Sequence, residues 1–201
     1  MNELKTGDLI LFSSYSSGIS NLISNFIKWG THSNYTHIAM VLKDPDFIGK
    51  SLKGLYVWES GWEEKPDPVD NKIKMGVQIT PLEEILNSYK NNGHCYIRKL
   101  INSDKYITSE KLSEIYITTY MRPYDLIPWD WIGALFQFNL NPQTKDRFWC
   151  SSLIGYIYTY CGILNSDTDW GILRPSDFSL SGETLKYLND CKLENKEIKI
   201  F

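Results

Sequence analysis

The stretch 148–162 has the sequence FWCSSLIGYIYTYCG and contains the clearest helix of the chain. Its apolar residues follow the spacing of one buried helix face, at Leu153, Ile154, Ile157, Tyr158 and Cys161. Gly162 stands where a left-handed helix C-cap belongs. Cys150 comes at the start of the helix, where the positive end of the helix dipole and unpaired backbone N–H groups favour a thiolate. The pattern therefore predicts either a reactive cysteine at a helix N-terminus or a structural one.

Short apolar runs in the first half of the chain are typical of strands, at 8–12, 36–42 and 55–59. The second and third runs are separated by a segment rich in Gly, Pro and Asp, which predicts two neighbouring strands. His37 lies at the head of one of these strands and Glu59 at the end of the other. Between the first two runs, apolar residues at helical spacing predict a helix over 19–27 that ends near Gly30.

In the middle of the chain, the spacing of apolar residues changes from that of a strand to that of a helix within the run VQITPLEEIL, 77–86. We expect a strand up to Thr80, with Thr80 as the N-cap of the following helix, Pro81 in its first position and Glu83 completing a capping box. CYIRKL, 95–100, predicts a further strand, and 109–121 predicts a helix that ends before Pro123. WDWIGALFQF, 129–138, is a short helix candidate, and the tail 193–201 is either a strand or peripheral.

The composition is that of an ordinary globular protein, with 42% hydrophobic and 22% charged residues among 201. This length favours a single domain over 1–201, and the order of elements predicts the α+β class. The 21 Lys and Arg against 24 Asp and Glu give a net charge of -3, so we expect no nucleic-acid partner. No apolar run approaches the roughly 20 residues of a membrane-spanning helix, and the N-terminus shows no secretory signal. We therefore expect a cytoplasmic protein whose four cysteines are free thiols.

A cysteine, a histidine and a carboxylate together suggest covalent catalysis. The chain has only three histidines, and His37 is the one placed on an apolar strand. If the strands of His37 and Glu59 are adjacent, both side chains could reach Cys150 and form a Cys-His-Glu triad. A packed histidine and an exposed strand-end acid are the alternatives for these two positions. A zinc site built from the same three residues is a weaker alternative, and the expectation is no metal and no cofactor.

The order of these motifs resembles the circularly permuted branch of the NlpC-type papain-like superfamily. That branch comprises the YiiX/YebB-like proteins, their poxvirus and giant-virus relatives and, more distantly, the lecithin:retinol acyltransferase group. Seven pieces between residues 7 and 178 match in order: GDLILF, THIAMV, YVWES, VQITPLEEIL, MRPYDL, FWCSSLIGYIY and ILRPSDF. The chain departs from the family at Ser152, where relatives often have an acidic residue, and in the segment 129–138, which has no equivalent.

The resemblance implies a papain-like fold, in which a small antiparallel sheet or half-barrel packs against the helix that carries the nucleophile. It implies Cys150 as the nucleophile, His37 as the base and Glu59 as the orienting acid. We expect the backbone N–H of Cys150 to supply part of the oxyanion hole. Tyr35, Ser151 and Tyr124 are the weaker candidates for oxyanion or substrate contacts.

The expected activity is that of a thiol hydrolase, amidase or peptidase, which forms a thioester acyl-enzyme on an amide or ester carbonyl. A lipid-directed acyltransferase or phospholipase is one alternative, and a catalytically silent module that binds a peptide or lipid is another. The expected partner is therefore a peptide, a lipid amide or a lipid ester. The segment 129–138 is favoured as a core helix over a peripheral membrane contact, because it has no Lys or Arg. A viral origin would place the protein in the host cytoplasm or the virion.

Overall fold

The computed structural model describes residues 4–14, 35–125, 145–182 and 185–201 as an α+β arrangement of strands and helices. The strands are β1 (Leu9–Ser14), β2 (His37–Lys43), β3 (Leu55–Gly61), β4 (Gly76–Pro81), β5 (Gly93–Arg98), β6 (Leu100–Ile101), β7 (Lys192–Leu193) and β8 (Ile198–Lys199). The helices are α1 (Leu82–Tyr89), α2 (Ser109–Thr119) and α3 (Cys150–Cys161), with short 3-10 helices at Trp170–Ile172 and Pro175–Phe178.

Six of the strands form one antiparallel sheet in the order β4-β3-β2-β1-β5-β8, and β6 pairs with β7 separately. The strands that carry His37 and Glu59 are neighbours, which confirms that prediction from the sequence. Met40 pairs with Trp58, and continuing this register puts Gly61 opposite His37. His37 and Glu59 therefore lie at the same end of the sheet.

Both faces of the sheet are buried, which explains why its strands are short continuous apolar runs instead of strictly alternating ones. In β1, Leu9 and Leu11 belong to the larger core, which also contains α3, while Ile10 and Phe12 face the smaller core under α1. His37 and Glu59 alternate with the residues that face the larger core, so they lie on the α1 side of the sheet. The sheet thus separates His37 and Glu59 from most of α3.

Helix α3 is the most deeply buried helix, because ten of its twelve residues are buried. Gly162 ends it with a φ of 78°, a left-handed conformation that glycine adopts without strain, as the sequence predicted. The Tyr158 hydroxyl donates a 2.6 Å hydrogen bond to the Gly7 carbonyl just before β1. This bond fixes the helix against the start of the sheet.

The start of α1 differs from the prediction. Thr80 belongs to β4 and makes no helix cap, and the helix begins at Leu82 after Pro81, without a side-chain cap. The pairing of β4 with β3 continues through Thr80 and Pro81, and this tertiary contact overrides the local capping signal. In α2, by contrast, Thr108 caps the helix by accepting from the Lys111 N–H. Helix α2 ends at Thr119, two residues earlier than expected.

The tail forms a strand, because β8 pairs with the outer edge of β5. The predicted helix over 19–27 and the candidate helix over 129–138 lie outside the described residues. Among the helices that the structure describes, none combines the length and the apolar character needed to cross a membrane.

Candidate active site

His37 and Glu59 form a buried pair at the end of the sheet. Their side chains approach to 2.6 Å between His37 Nε2 and Glu59 Oε2, on adjacent strands β2 and β3. Glu59 is fully buried and His37 is only 8% exposed, so water screens the pair little. Because Nε2 is engaged by the carboxylate, Nδ1 is the ring nitrogen left to face another partner.

The second oxygen of Glu59 has a partner of its own. The Thr80 hydroxyl of β4 donates to Glu59 Oε1 at 2.5 Å. A buried carboxylate is stable only when its oxygens are hydrogen-bonded, and here each oxygen has a donor. The local sequence pattern predicts a helix cap at Thr80 and gives no sign of its hydrogen bond with Glu59. The signal that could have found it is alternation, because Thr80 lies two residues from Gln78, which pairs with Glu59 in the sheet.

The helix start that carries Cys150 is fastened to the same end of the sheet. The Ser60 hydroxyl at the end of β3 donates a 2.6 Å hydrogen bond to the carbonyl of Phe148, two residues before the cysteine. Cys150 is the first residue of α3 and is 2% exposed. Its sulfur lies close enough to the His37 imidazole to raise the pKa of that ring. The structure therefore brings together all three residues that the sequence predicted as a triad.

The charge balance at His37 favours the imidazolium form. Burial disfavours it, but the hydrogen bonds with Cys150 and Glu59 outweigh burial and raise the pKa of His37 well above its usual value. These contacts therefore favour the imidazolium form next to the thiol. An imidazolium in this position stabilises a thiolate, as does the N-terminus of α3.

The first turn of α3 is held by side chains of its own. Ser152 Oγ accepts from the Trp149 N–H at 3.0 Å and donates to the Trp149 carbonyl at 2.9 Å. The Leu173 carbonyl accepts from Ser151 Oγ at 2.7 Å and from Trp149 Nε1 at 3.2 Å. These bonds fix the backbone around Cys150, so the direction of its N–H is set before any substrate arrives.

The three weaker candidates for oxyanion or substrate contacts are Tyr35, Ser151 and Tyr124, and their surroundings differ. The Tyr35 hydroxyl donates to Glu197 at 2.5 Å, and Ser151 Oγ donates to Leu173, so neither hydroxyl proton is directed at Cys150. Tyr124 lies close enough to Cys150 that burial and the cysteine charge together raise its pKa well above the usual value. The structure thus brings Tyr124 to the candidate site and gives the other two hydroxyls other partners.

Gly61 lies against the His37–Glu59 pair, and the sequence did not predict it as part of the site. A Cβ atom built at Gly61 would lie 3.3 Å from Glu59 Oε2 and 3.4 Å from His37 Cε1. The first distance is tighter than most Cβ contacts and the second is at the edge of ordinary van der Waals contact, so the missing side chain leaves room for the His-Glu pair. The glycine has no local sequence signal beyond its position two residues after Glu59.

The other three cysteines are buried free thiols outside this cluster, as the sequence predicted for a chain without disulfides. Burial raises the pKa of Cys95 to about 12 and that of Cys161 to about 11, and it also raises the pKa of Cys191. These thiols therefore stay protonated and unreactive at neutral pH.

No group of three His, Cys, Asp or Glu residues within 4–14, 35–125, 145–182 and 185–201 has a geometry that could hold a metal ion. The alternative zinc site at the same three residues therefore gains no support from their arrangement. Among the aromatic residues of the sequence, Trp58 is buried in the core and Trp62 is 51% exposed. Several other aromatic residues lie outside the described part of the chain: Tyr15, Trp29, Trp129, Trp131, Phe136 and Phe138.

Comparison with known proteins adds no family assignment to this geometry. No protein-family model matches the chain, and no curated protein matches it. The chemistry of the site is therefore inferred from its own residues.

Proposed function

We propose that the chain is a cysteine-dependent hydrolase of the permuted papain-like type, with Cys150 as nucleophile, His37 as base and Glu59 as orienting acid. The observation that carries the proposal is the position of His37 between two partners, with the Cys150 thiol on one side and the Glu59 carboxylate on the other. The six-stranded antiparallel sheet, with the cysteine at the start of the packed helix α3, agrees with the fold that the family resemblance implies.

The reactive form is the thiolate-imidazolium pair that results when the Cys150 proton has passed to Nδ1 of His37. Glu59 accepts the hydrogen bond from Nε2–H, which fixes the ring and stabilises its positive charge. The thiolate then attacks an amide or ester carbonyl carbon, and the carbonyl π electrons move onto oxygen. The backbone N–H of Cys150 at the helix start donates to this oxyanion.

Collapse of the tetrahedral intermediate breaks the bond to the leaving group. The imidazolium gives its proton to the departing amine or alcohol, and a thioester remains on Cys150. Nδ1 next takes a proton from a water molecule, whose oxygen attacks the thioester. The second tetrahedral intermediate releases a carboxylic acid and restores the thiol. An acyltransferase would follow the same steps with a second nucleophile in place of water.

The test is the rate of Cys150 alkylation by iodoacetamide, located by peptide mass analysis, between pH 5 and 9. We expect rapid labelling well below pH 8 in the wild type, none at this position in Cys150→Ser, and much slower labelling in His37→Ala. Cys191→Ser is the matched control, since it removes a buried thiol outside the cluster and should leave Cys150 labelling unchanged. Labelling of Cys150 at the same rate and pH dependence without His37 would refute the pair.

A second experiment addresses turnover. The protein is incubated with mixed acyl-amide and lipid-ester libraries, and its intact mass is measured for an acyl adduct. We expect an adduct in the wild type that disappears with time through hydrolysis and is absent from Cys150→Ser. A reactive thiol that takes up no acyl group from either library would favour the binding module over the hydrolase.

A further inference from the structure

Ser60 follows Glu59 in β3, and the two side chains point to opposite faces of the sheet. Trp58 belongs to the larger core, which contains α3, and Val57 belongs to the smaller core under α1. Because side chains alternate along a strand, Ser60 faces the α3 side and Glu59 the α1 side. Both residues are fully buried. Two consecutive residues of one strand therefore reach the two parts of the candidate site.

Each of these side chains makes a short contact with one part. Glu59 Oε2 lies 2.6 Å from His37 Nε2, and Ser60 Oγ donates to the Phe148 carbonyl at 2.6 Å. Phe148 comes two residues before Cys150. One peptide unit of β3 thus links the base to the segment that leads into the nucleophile.

A second connection joins the sheet to Phe148 by a longer route, through the segment 122–125. Gly76, at the start of β4, forms a bridge with Pro123. The Phe148 N–H donates to the Pro123 carbonyl at 3.1 Å, and the Asp125 N–H donates to the Phe148 carbonyl at 3.2 Å. The Ser60 hydroxyl therefore closes a ring that runs from β3 through β4 and this segment to Phe148.

Loss of the Ser60 hydroxyl would leave this region folded. The Phe148 carbonyl would keep the Asp125 N–H as a donor, so it would not become a buried polar group without a partner. The first turn of α3 would keep its own bond from Ser151 Oγ to the Leu173 carbonyl. What disappears is the direct link between β3 and the chain that carries the nucleophile.

We propose that Ser60 is a positioning residue, which sets the approach of the Cys150 sulfur to His37 by holding the Phe148 carbonyl against β3. The inference rests on the proposed function, since it concerns the same nucleophile and base. Ser60 touches no reacting atom and acts through the backbone of residues 148–150. Its consequence is that one strand fixes the spacing of base and nucleophile, with Glu59 on one face and Ser60 on the other.

The test is the rate of Cys150 alkylation by iodoacetamide between pH 5 and 9, in the wild type and in Ser60→Ala. We expect labelling at pH 7 to slow by about tenfold, because the sulfur is no longer held at its contact with the imidazole. The midpoint of the labelling profile should rise by about one pH unit, since a more distant imidazolium stabilises the thiolate less.

Ser179→Ala is the matched control. Ser179 is 3% exposed, and its hydroxyl also donates at 2.6 Å to a backbone carbonyl, that of Ser176. This variant should leave the rate and the midpoint of Cys150 labelling unchanged. An equal change in Ser179→Ala, or an unaltered profile in Ser60→Ala, would overturn the inference. A Ser60→Ala variant that no longer unfolds cooperatively in urea would overturn it too, because the remaining donor should keep the segment in place.

A double-mutant cycle separates positioning from a general structural effect. His37→Ala removes the group towards which the sulfur is directed, so adding Ser60→Ala to it should change the labelling rate by less than about twofold. If Ser60→Ala slows labelling by the same factor with and without His37, Ser60 does not act through the approach of the two residues and the inference fails.

The same data distinguish this inference from the proposed function. Fast labelling that depends on His37 but ignores Ser60 would refute the role of Ser60 and leave the hydrolase intact. Wild-type labelling that does not depend on His37 would refute the hydrolase, and the role of Ser60 would fall with it.

Discussion

The hydrogen bond between Thr80 and Glu59 allows a sharp test of the charge in the site. Thr80→Val replaces a hydroxyl by a methyl group of nearly the same shape in a side chain that is 4% exposed. The variant leaves Glu59 Oε1 without its 2.5 Å donor, in a carboxyl that is fully buried. A buried oxygen that loses its partner keeps the full cost of desolvation.

The expected loss of stability follows from the charge of the acceptor. A hydrogen bond to a charged group contributes about 1.5–3 kcal/mol, against about 1 kcal/mol for one between neutral groups. Thr119→Val is the matched control, because Thr119 is also fully buried and its hydroxyl donates at 2.9 Å to a neutral acceptor, the Ile115 carbonyl in α2. We therefore expect Thr80→Val to lower the free energy of unfolding by about 1 kcal/mol more than Thr119→Val.

The assay is urea unfolding at pH 7, with fluorescence and circular dichroism followed together to check two-state behaviour. Equal losses in the two valine variants would refute the reasoning, since they would show that Glu59 is not held as a buried carboxylate by Thr80. A smaller loss in Thr80→Val than in Thr119→Val would refute it more strongly.

Three further variants test other contacts. Gly61→Ala should slow Cys150 alkylation by about tenfold, because its Cβ crowds Glu59 Oε2 and so shifts the carboxylate that holds His37, and the rate with iodoacetamide measures this. His37→Ala should lower the free energy of unfolding more at pH 6 than at pH 10. The pKa of His37 is raised in the folded state, so its charge stabilises the protein fully below the pKa of the unfolded state. This stabilisation is lost as the pH rises through the pKa of the folded state. A gap in urea midpoints that is constant with pH would contradict this. Tyr158→Phe should lower the free energy of unfolding by about 1–2 kcal/mol, because it leaves the buried Gly7 carbonyl without its 2.6 Å donor, and an unchanged midpoint would argue against that bond.

Local patterns were enough to predict the parts of the fold that depend on neighbouring residues. The helix α3, its glycine cap and the adjacent strands of His37 and Glu59 follow from apolar spacing and turn composition. Once those strands are paired, two members of the candidate site are close. The contact of Cys150 with His37 joins the two halves of the chain. The chemistry of the residues suggested it and the family resemblance supported it, but no local pattern could place the two residues together.

Thr80 shows where local patterns fail. Thr80 precedes Pro81 and Leu82 in a sequence typical of a helix start, yet β4 pairs with β3 through this point. The threonine hydroxyl donates a hydrogen bond to Glu59 instead of capping the helix. Proline is tolerated there because β4 is the outermost strand of the sheet.

The contact between Tyr35 and Glu197 joins residues that are 162 positions apart, and Tyr35 lies two residues before His37. Contacts of such long range form late in folding, since the chain must first close a large loop. On a ribosome, this contact could form only after Glu197 had been synthesised. The segment that leads into the His37 strand would therefore lack this connection throughout the synthesis of the intervening residues.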